Sequence, residues 1–305
     1  MYQCKDLLQK ITYQCIRGKE DVSVSEVVYD SRKITKNCMF ICICGYVSDG
    51  HDYAGEAVEK GASVLVVQKE VEVPRDSDVT IIRVEDTRYA MAFISAAWFD
   101  APAEKLTVIG ITGTKGKTTT TYLVKSILEQ AGRKVGLIGT IEIIIGEEHI
   151  PANNTTPESY LLQSYFARMV EAGCDTVVME VSSQGLMMHR TQGFVFDIGI
   201  FTNLEPDHIG PDEHKDFEDY LRCKSLLFKQ CKQGILNGDD AHVEQILAGH
   251  TCSVERFGFA QGLQVRASDV RLYRDNGELG VAFRVTGANE FEVKLPTPGR
   301  FSVYN

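Results

Sequence analysis

The sequence predicts an α/β protein in which a small N-terminal α/β domain precedes a larger domain with a mostly parallel sheet. The length of 305 residues is long for a single hydrophobic core. Apolar strands alternate with helical segments along most of the chain. The segment Asp100-Ala-Pro-Ala-Glu104 interrupts this alternation, because a proline and small residues end a predicted helix there. We therefore expect two domains, 1–103 and 104–305.

Short strands and helices alternate in the first domain. Strands are predicted at 39–44, 62–67 and 81–84, each a brief apolar run. Helices are predicted at 53–60 and 87–99. The second helix spaces Met91, Ile94 and Trp98 so that they share one face.

The second domain has a more regular alternation. Its strands are predicted at 106–112, 135–140, 176–181 and 197–202, with helices near 117–131, 158–172 and 215–230. Continuous Val/Ile-rich strands separated by helices are typical of a parallel sheet covered on both faces. After residue 262 the pattern changes to period-2 strands around Asp275-Asn-Gly277, a hairpin signal. The domain should therefore end in a β-rich part.

Composition excludes several classes of function. A formal net charge of −10 argues against broad nucleic-acid binding. No apolar run approaches the roughly 20 residues that span a bilayer, and the N-terminus lacks the apolar core of a signal peptide. The nine cysteines are scattered, and Cys42 and Cys44 lack metal-ligand spacing. We expect a cytoplasmic protein with reduced thiols and no membrane insertion.

The segment GTKGKTT, residues 113–119, predicts a phosphate-binding loop. It follows an apolar strand and begins a helix, and Gly113 and Gly116 allow backbone N–H groups to approach an anion closely. Lys117 is placed to neutralise phosphate oxygens, and the Thr118 hydroxyl to bind Mg²⁺. The alternative is a simple strand–turn–helix with a surface lysine.

Polar residues also follow the later strands. Glu180 ends one strand and suits Mg²⁺, although it could instead be a capping acid. Asn203 and His208 follow the next strand, and His208 could bind a metal or a phosphate. Lys224 lies on a predicted helix, where a solvated lysine is the simpler interpretation.

Four motifs in order resemble the Mur ligases of peptidoglycan synthesis. They are GTKGKTTTT, NNTTPES, MEVSSQGLMMHR and FTNLEPDH, followed by the helix with Lys224. The segments 28–32 and 40–50 are similar to the N-terminal domain that receives the UDP end of the substrate in that family. Within the family, the motifs most resemble the branch that adds the third peptide residue.

The resemblance implies an ATP-dependent amide-bond ligase that adds a diamino acid to UDP-MurNAc-L-Ala-D-Glu through an acyl phosphate. It implies ATP and Mg²⁺ as cofactors and a monomeric enzyme. Family precedent gives catalytic roles to Lys117, Glu180, His208 and Lys224. It also implies Mg²⁺ ligation by Thr118, Glu180, His208 and, if it is carboxylated, Lys224. The remaining nucleotide contacts implied are Gly113, Thr114, Lys115, Gly116, Thr119 and Asn203.

The resemblance also implies residues that contact the UDP-linked dipeptide. In the first domain these are Ser31, Tyr46, Val47 and Ser48, and along the muramoyl peptide they are Asn154, Thr155, Thr156, Ser182 and Arg190. One departure is Lys115, which replaces the usual Asn of the loop and adds a positive charge near the nucleotide.

Three alternatives to this interpretation stay open from the sequence. The chain could be another Mur-type ligase, or a ligase like folylpolyglutamate synthase, although the segment Asp30-Ser31-Arg32 favours a UDP-substrate domain. It could also be a non-catalytic nucleotide-binding protein. We expect this chain to lack the family's C-terminal, amino-acid-binding domain, and therefore to be inactive in ligation on its own. The sequence does not identify the amino acid added.

Overall fold

The computed structural model describes residues 2–45, 48–211, 213–275 and 277–305. The chain forms two compact units. Unit 1 contains Met1–Pro102, Glu158–Ala167 and Met188–Phe194, and unit 2 contains Ala103–Pro157, Arg168–Met187 and Val195–Asn305. Two segments from the second half of the chain thus belong to unit 1.

Unit 1 is built on a five-stranded sheet. Its strands are β1 (Tyr2–Gln3), β2 (Gln14–Arg17), β3 (Ser23–Val24), β4 (Val27–Val28), β5 (Met39–Ile41), β6 (Val64–Val67) and β7 (Thr80–Arg83). Its helices are α1 (Cys4–Leu7), α2 (Ala54–Glu59) and α3 (Thr87–Trp98). The sheet order is β2-β7-β6-β5-β4, parallel except for β2, while β1 and β3 form a separate antiparallel pair.

Successive residues of the central strands in unit 1 face two different cores. Met39 and Ile41 of β5 join a cluster with α1 and α3, whereas Phe40 joins a cluster with α2. This alternation follows from the period of two in a strand. Because helices cover both faces, nearly all of these strand residues are apolar.

Unit 2 contains an eleven-stranded sheet. Its strands are β8 (Thr107–Thr112), β9 (Val135–Ile138), β10 (Glu142–Ile145), β11 (Glu148–Pro151), β12 (Thr176–Glu180), β13 (Phe196–Phe201), β14 (Cys231–Asn237), β15 (Ser253–Gly258), β16 (Val265–Asp275), β17 (Glu278–Thr286) and β18 (Glu290–Leu295). The order is β11-β10-β9-β12-β8-β13-β14-β15-β16-β17-β18. Strands β9 to β16 in this order are parallel, and antiparallel hairpins extend both edges.

The remaining helices are α4 (Lys117–Gln130), α5 (Ser159–Glu171), α6 (Ser183–Met187), α7 (Phe217–Ser225) and α8 (Val243–Ile246). Helix α4 begins directly after the loop that follows β8, and α6 begins three residues after Glu180, the last residue of β12. Because β8, β12 and β13 are parallel neighbours, the polar residues that follow them emerge at one edge of the sheet.

The predicted α/β class with a large, mostly parallel sheet is confirmed. The antiparallel pairing of β16 with β17 confirms the predicted hairpin, although Asn276 of its turn lies outside the described residues. The prediction missed the β10–β11 hairpin and the parallel strands β14 and β15. Exposed polar residues in β11 and β15, and Gly234 in β14, weaken the apolar pattern there.

Within the described residues, no helix is long and apolar enough to cross a membrane. All nine cysteines are free, and seven of them are buried.

Candidate active site

The loop after β8 has a backbone that requires glycine at two positions. Gly113 has φ 151° and Gly116 has φ 84°, which are conformations that residues with a side chain rarely adopt. A Cβ atom on Gly113 would lie 2.0 Å from Oγ1 of Thr202, so the loop and the end of β13 approach too closely for any side chain. Helix α4 then begins at Lys117 with Gly116 as its N-cap. The sequence folds here as a strand, a glycine loop and a helix N-terminus, the arrangement that favours bound anions.

Two lysines converge on one carbonyl of this loop. Nζ of Lys117 donates to the carbonyl oxygens of Gly113 (2.9 Å) and Thr114 (3.1 Å). Nζ of Lys224, which is 1% exposed, also donates to Gly113 O at 2.9 Å. Burial lowers the pKa of the Lys117 amine. Burial, followed by the nearby charge of Lys117, lowers the pKa of Lys224 further.

A buried carboxylate lies beside the start of helix α4. Glu180 is 1% exposed, and both of its carboxylate oxygens accept from the Thr118 hydroxyl at 3.0 Å. The backbone N–H of Thr140 donates to Oε1 at 2.9 Å. A Cβ on Gly139 would lie 2.7 Å from Oε1, so a glycine there makes room for the carboxylate. The hydroxyl and carboxylate oxygens of Thr118 and Glu180 form a donor set that suits Mg²⁺.

Asn203 fixes the middle of the loop. Its Oδ1 accepts from the backbone N–H of Lys115, and its Nδ2 donates to the Lys115 carbonyl, both at 2.9 Å. The side chain of Lys115 forms an ion pair with Glu205. The extra charge of Lys115 is therefore balanced by a neighbouring carboxylate. Thr119 is exposed on the first turn of α4.

His208 lies on the loop after β13 in a left-handed conformation, with φ 55°. Its Nδ1 pairs with Glu213 Oε1 at 2.8 Å, and its side chain is half exposed. In the described part of the chain, its ring makes no hydrogen bond to Thr118, Glu180 or Lys224. The structure therefore brings Thr118 and Glu180 into contact, and Lys117 and Lys224 to one carbonyl. The side chain of His208 pairs instead with Glu213.

Sequence reasoning missed Tyr220, which connects several of these groups. Its fully buried ring lies 4.6 Å from Nζ of Lys224, and its ring centroid is 6.0 Å from that of His208. Its hydroxyl lies 3.1 Å from Oγ1 of Thr114. Burial raises the pKa of Tyr220 to about 12. The spacing of four residues before Lys224, which places two side chains on one helix face, was the available signal.

The first five residues of the NNTTPES segment, 153–157, lie in unit 2 and reach the end of β12. The Thr156 hydroxyl donates to the Glu180 carbonyl at 3.0 Å and accepts from the Ser182 N–H at 2.9 Å. The hydroxyls of Thr155 and Thr140 are 3.0 Å apart. Asn154 is exposed. Thr155, Thr156 and Ser182 thus lie close to the buried carboxylate of Glu180.

Unit 1 has its own cavity of about 570 Å³, lined in part by Ser31, Ser48, Arg88 and Glu158. Arg190 pairs with Glu158 at 2.7 Å, and Arg88 pairs with the same carboxylate at 3.0 Å. Arg88 and Glu158 were not predicted. Two predicted contacts, Tyr46 and Val47, lie outside the described residues.

The fold and these contacts define an α/β protein in which a glycine loop leads from a strand into a helix N-terminus, an arrangement that favours bound anions. Residues 111–305 match the family described as the Mur ligase middle domain, and residues 23–99 match the one described as Mur ligase family, catalytic domain. The chain belongs to the Mur ligase family.

Known proteins resemble most of this chain but extend beyond it. UDP-N-acetylmuramoyl-L-alanyl-D-glutamate–2,6-diaminopimelate ligase 1 of Clostridium acetobutylicum is 43% identical over 302 residues, covering 99% of this chain and 61% of the relative. The chain therefore spans about three fifths of the length of such relatives.

Two solved structures share the fold. A UDP-N-acetylmuramoyl-L-alanyl-D-glutamate–2,6-diaminopimelate ligase has a TM-score of 0.84 at 23% identity, covering 99% of this chain and 61% of that one. The MurF ligase of Thermotoga maritima in complex with ADP has a TM-score of 0.58 at 20% identity, covering 90% and 59%.

Proposed function

We propose that this chain forms the UDP-substrate-binding and ATP-binding parts of a ligase of peptidoglycan synthesis. The ligase joins a diamino acid, 2,6-diaminopimelate by the names of the relatives, to UDP-MurNAc-L-Ala-D-Glu in the cytoplasm. The observation that carries this proposal is the convergence of Lys117 and Lys224 on the Gly113 carbonyl beside the Thr118–Glu180 pair. A simple strand–turn–helix would not bury two ammonium groups and a carboxylate around its loop.

The proposed reaction needs positioning and charge neutralisation more than covalent help from the protein. The substrate carboxylate accepts the γ-phosphoryl group of ATP, and ADP leaves. The amine of the incoming amino acid then forms the C–N bond at the acyl carbon, and phosphate and a proton are released. Lys117 can transfer its hydrogen bonds from the loop carbonyls to phosphate oxygens, and Thr118 and Glu180 would hold Mg²⁺, which neutralises phosphate charge when bound.

The environment of Lys224 fits a carboxylated lysine. Its amine is buried, and its pKa is lowered by burial, so the neutral form that reacts with CO₂ is favoured. A bond forms between Nζ and the carbon of CO₂, and one proton is lost to solvent. The resulting carbamate has oxygen atoms that suit Mg²⁺. The same buried position is costly for an ordinary ammonium group.

We assign the substrate to two groups of residues. Ser31 and Ser48 line the cavity of unit 1 and would contact the UDP end. Thr155, Thr156 and Ser182 lie near Glu180 and would contact the muramoyl peptide. Arg190 suits an acidic group of the substrate, provided that it exchanges its pairing with Glu158. Unit 1 then corresponds to the substrate domain, and unit 2 to the ATP domain.

Binding of ADP tests the nucleotide part of the proposal. We expect Lys117→Met to weaken ADP binding, measured by isothermal titration calorimetry, by about 10- to 100-fold, as for loss of a charged hydrogen-bond donor. The matched control is Lys125→Met on the same helix, whose amine pairs with Glu129. Equal affinities for the wild type and Lys117→Met would contradict the assigned role of the loop.

Phosphate release tests the reaction. The assay uses a protein that joins this chain to a segment corresponding to the part of the relatives that it does not cover. With ATP, UDP-MurNAc-L-Ala-D-Glu and a panel of amino acids, we expect release with 2,6-diaminopimelate. Release with a different amino acid would change only the assigned substrate. ADP binding without release for any amino acid would favour the non-catalytic alternative.

A further inference from the structure

A buried histidine that the proposed function does not use connects the elements of the site. His214 is fully buried, and its Nε2 lies 2.8 Å from Oγ of Ser183, which is 4% exposed. Its Nδ1 lies 3.2 Å from Oδ2 of Asp219. Because a carboxylate only accepts, Nδ1 carries a proton, and in the neutral imidazole Nε2 then accepts from the Ser183 hydroxyl. This gives one defined orientation of the ring.

The contacts of His214 reach three segments. Ser183 begins the helix that follows Glu180, and Asp219 lies in the first turn of α7, the helix with Lys224. The backbone N–H of His214 donates to the carbonyl of His208 at 3.1 Å, and the His214 carbonyl accepts from Gly210 at 3.1 Å. The ring contacts with Ser183 and Asp219 therefore hold in place a residue whose backbone closes the loop in which His208 has a left-handed conformation.

The same ring supports Tyr220. The ring centroids of His214 and Tyr220 are 5.2 Å apart, and Tyr220 contacts both Lys224 and Thr114. A shift of His214 would therefore change the support of the His208 loop and of the aromatic ring beside Lys224 together. Both ring nitrogens of His214 thus have a side-chain partner, Ser183 on α6 and Asp219 on α7.

The hydrogen-bonded arrangement of Ser183, His214 and Asp219 resembles a catalytic triad with a serine nucleophile, but the burial of Ser183 and His214 argues against that role. A nucleophile must reach its substrate, and both Ser183 and His214 are buried. A metal ion at His214, Asp219 and Cys223 is also disfavoured, because Arg222 donates to the same Asp219 carboxylate at 2.6 Å. The remaining role for His214 is to hold neighbouring groups in position.

We propose that His214 is a positioning residue that links the end of β12 to the His208 loop and to the helix of Lys224. This inference rests on the proposed function, since it concerns the arrangement of groups that would surround Mg²⁺ and the nucleotide phosphates. Residues that orient metal-binding groups change metal affinity by about 10- to 100-fold when they are replaced.

The test measures ADP affinity by calorimetry with Mg²⁺ and with EDTA. His214→Phe keeps a planar ring against Tyr220 but removes both hydrogen bonds. We expect the gain in ADP affinity produced by Mg²⁺ to fall about 10-fold, while the affinity in EDTA stays unchanged. His214→Gln, whose amide can replace Nε2, should recover part of the gain. His242→Phe is the matched control, because His242 packs against Phe217 of the same helix from outside the network.

Ser183→Ala keeps the histidine and removes one partner, so it decides the question if His214→Phe does not fold. Where His214→Phe folds, its combination with Ser183→Ala should cost less than the sum of the two effects, because both changes remove the same contact between His214 and Ser183. An unchanged Mg²⁺ gain in both His214→Phe and Ser183→Ala would overturn the inference while leaving the proposed function intact. A wild-type chain that binds no ADP would overturn both, and that outcome is visible without any variant.

Discussion

Replacing Glu180 by Gln should remove most of the Mg²⁺ dependence of nucleotide binding. The amide keeps the shape of the carboxylate and can still accept from the Thr140 N–H, which the carboxylate binds at 2.9 Å. It removes the negative charge beside Thr118, where the carboxylate is 1% exposed. Loss of one buried charged partner, about 3 kcal/mol, corresponds to roughly a 100-fold loss of Mg²⁺-dependent affinity.

Calorimetric titration of ADP with and without Mg²⁺ checks this expectation. ADP affinity in EDTA should change little, because the loop and Lys117 are retained. Glu171→Gln provides the control, since Glu171 is an exposed residue at the end of α5. A Glu180→Gln protein that keeps the full Mg²⁺ effect would show that Glu180 is a structural partner of Thr118 and Thr140 only.

Replacing Lys224 by Met should stabilise the protein while removing its capacity to take up CO₂. The methionine has similar length and no charge, and replacing buried charged groups by apolar ones of similar volume is often stabilising by about 1–4 kcal/mol. The Gly113 carbonyl keeps Lys117 as a donor at 2.9 Å. Labelling with ¹³C-bicarbonate should give a carbamate signal in the wild type and in the exposed control Lys229→Met, but none in Lys224→Met.

The difference in stability should depend on pH in a defined direction. The folded pKa of Lys224 is lowered by burial, so between that pKa and the ordinary lysine value of about 10.4 the unfolded chain binds one proton more. The wild type therefore gains stability as pH rises through this window and loses it as pH falls. In bicarbonate-free buffer, denaturant unfolding should give Lys224→Met a higher free energy of unfolding than the wild type. This difference should be largest at low pH. An advantage that is the same at all pH values would show that Lys224 is not desolvated.

The sequence predicted the parallel strands and the phosphate loop because each has a local signal. Val and Ile runs mark β8 and β12, and two glycines with Lys117 mark the loop. The strands β14 and β15 were missed because their burial depends on neighbours distant in sequence. A local sequence pattern contains no information about such neighbours.

The same limit applies to the candidate site. The resemblance to the Mur ligases implied that Thr118 and Glu180 lie together, because it gave both to one Mg²⁺. The sharing of the Gly113 carbonyl by two lysines was not predicted, because a backbone carbonyl has no sequence signature. His214 lies in a polar segment of the sequence that carries no signal of burial, yet it is fully buried. Its role depends on Ser183, which is 31 positions away.

The contacts of Lys117 with the loop carbonyls have a consequence for selectivity. Its amine already donates to the carbonyl oxygens of Gly113 and Thr114, so an incoming anion would replace existing hydrogen bonds and add few new ones. The favourable binding free energy then comes mainly from the charge of the anion, because a carbonyl dipole neutralises an ammonium group less well than a phosphate does. A monoanion such as chloride offers little advantage over the carbonyl, whereas a polyphosphate offers several charged oxygens at once. The loop carbonyls bound to Lys117 thus set a charge density that a ligand must exceed to replace them.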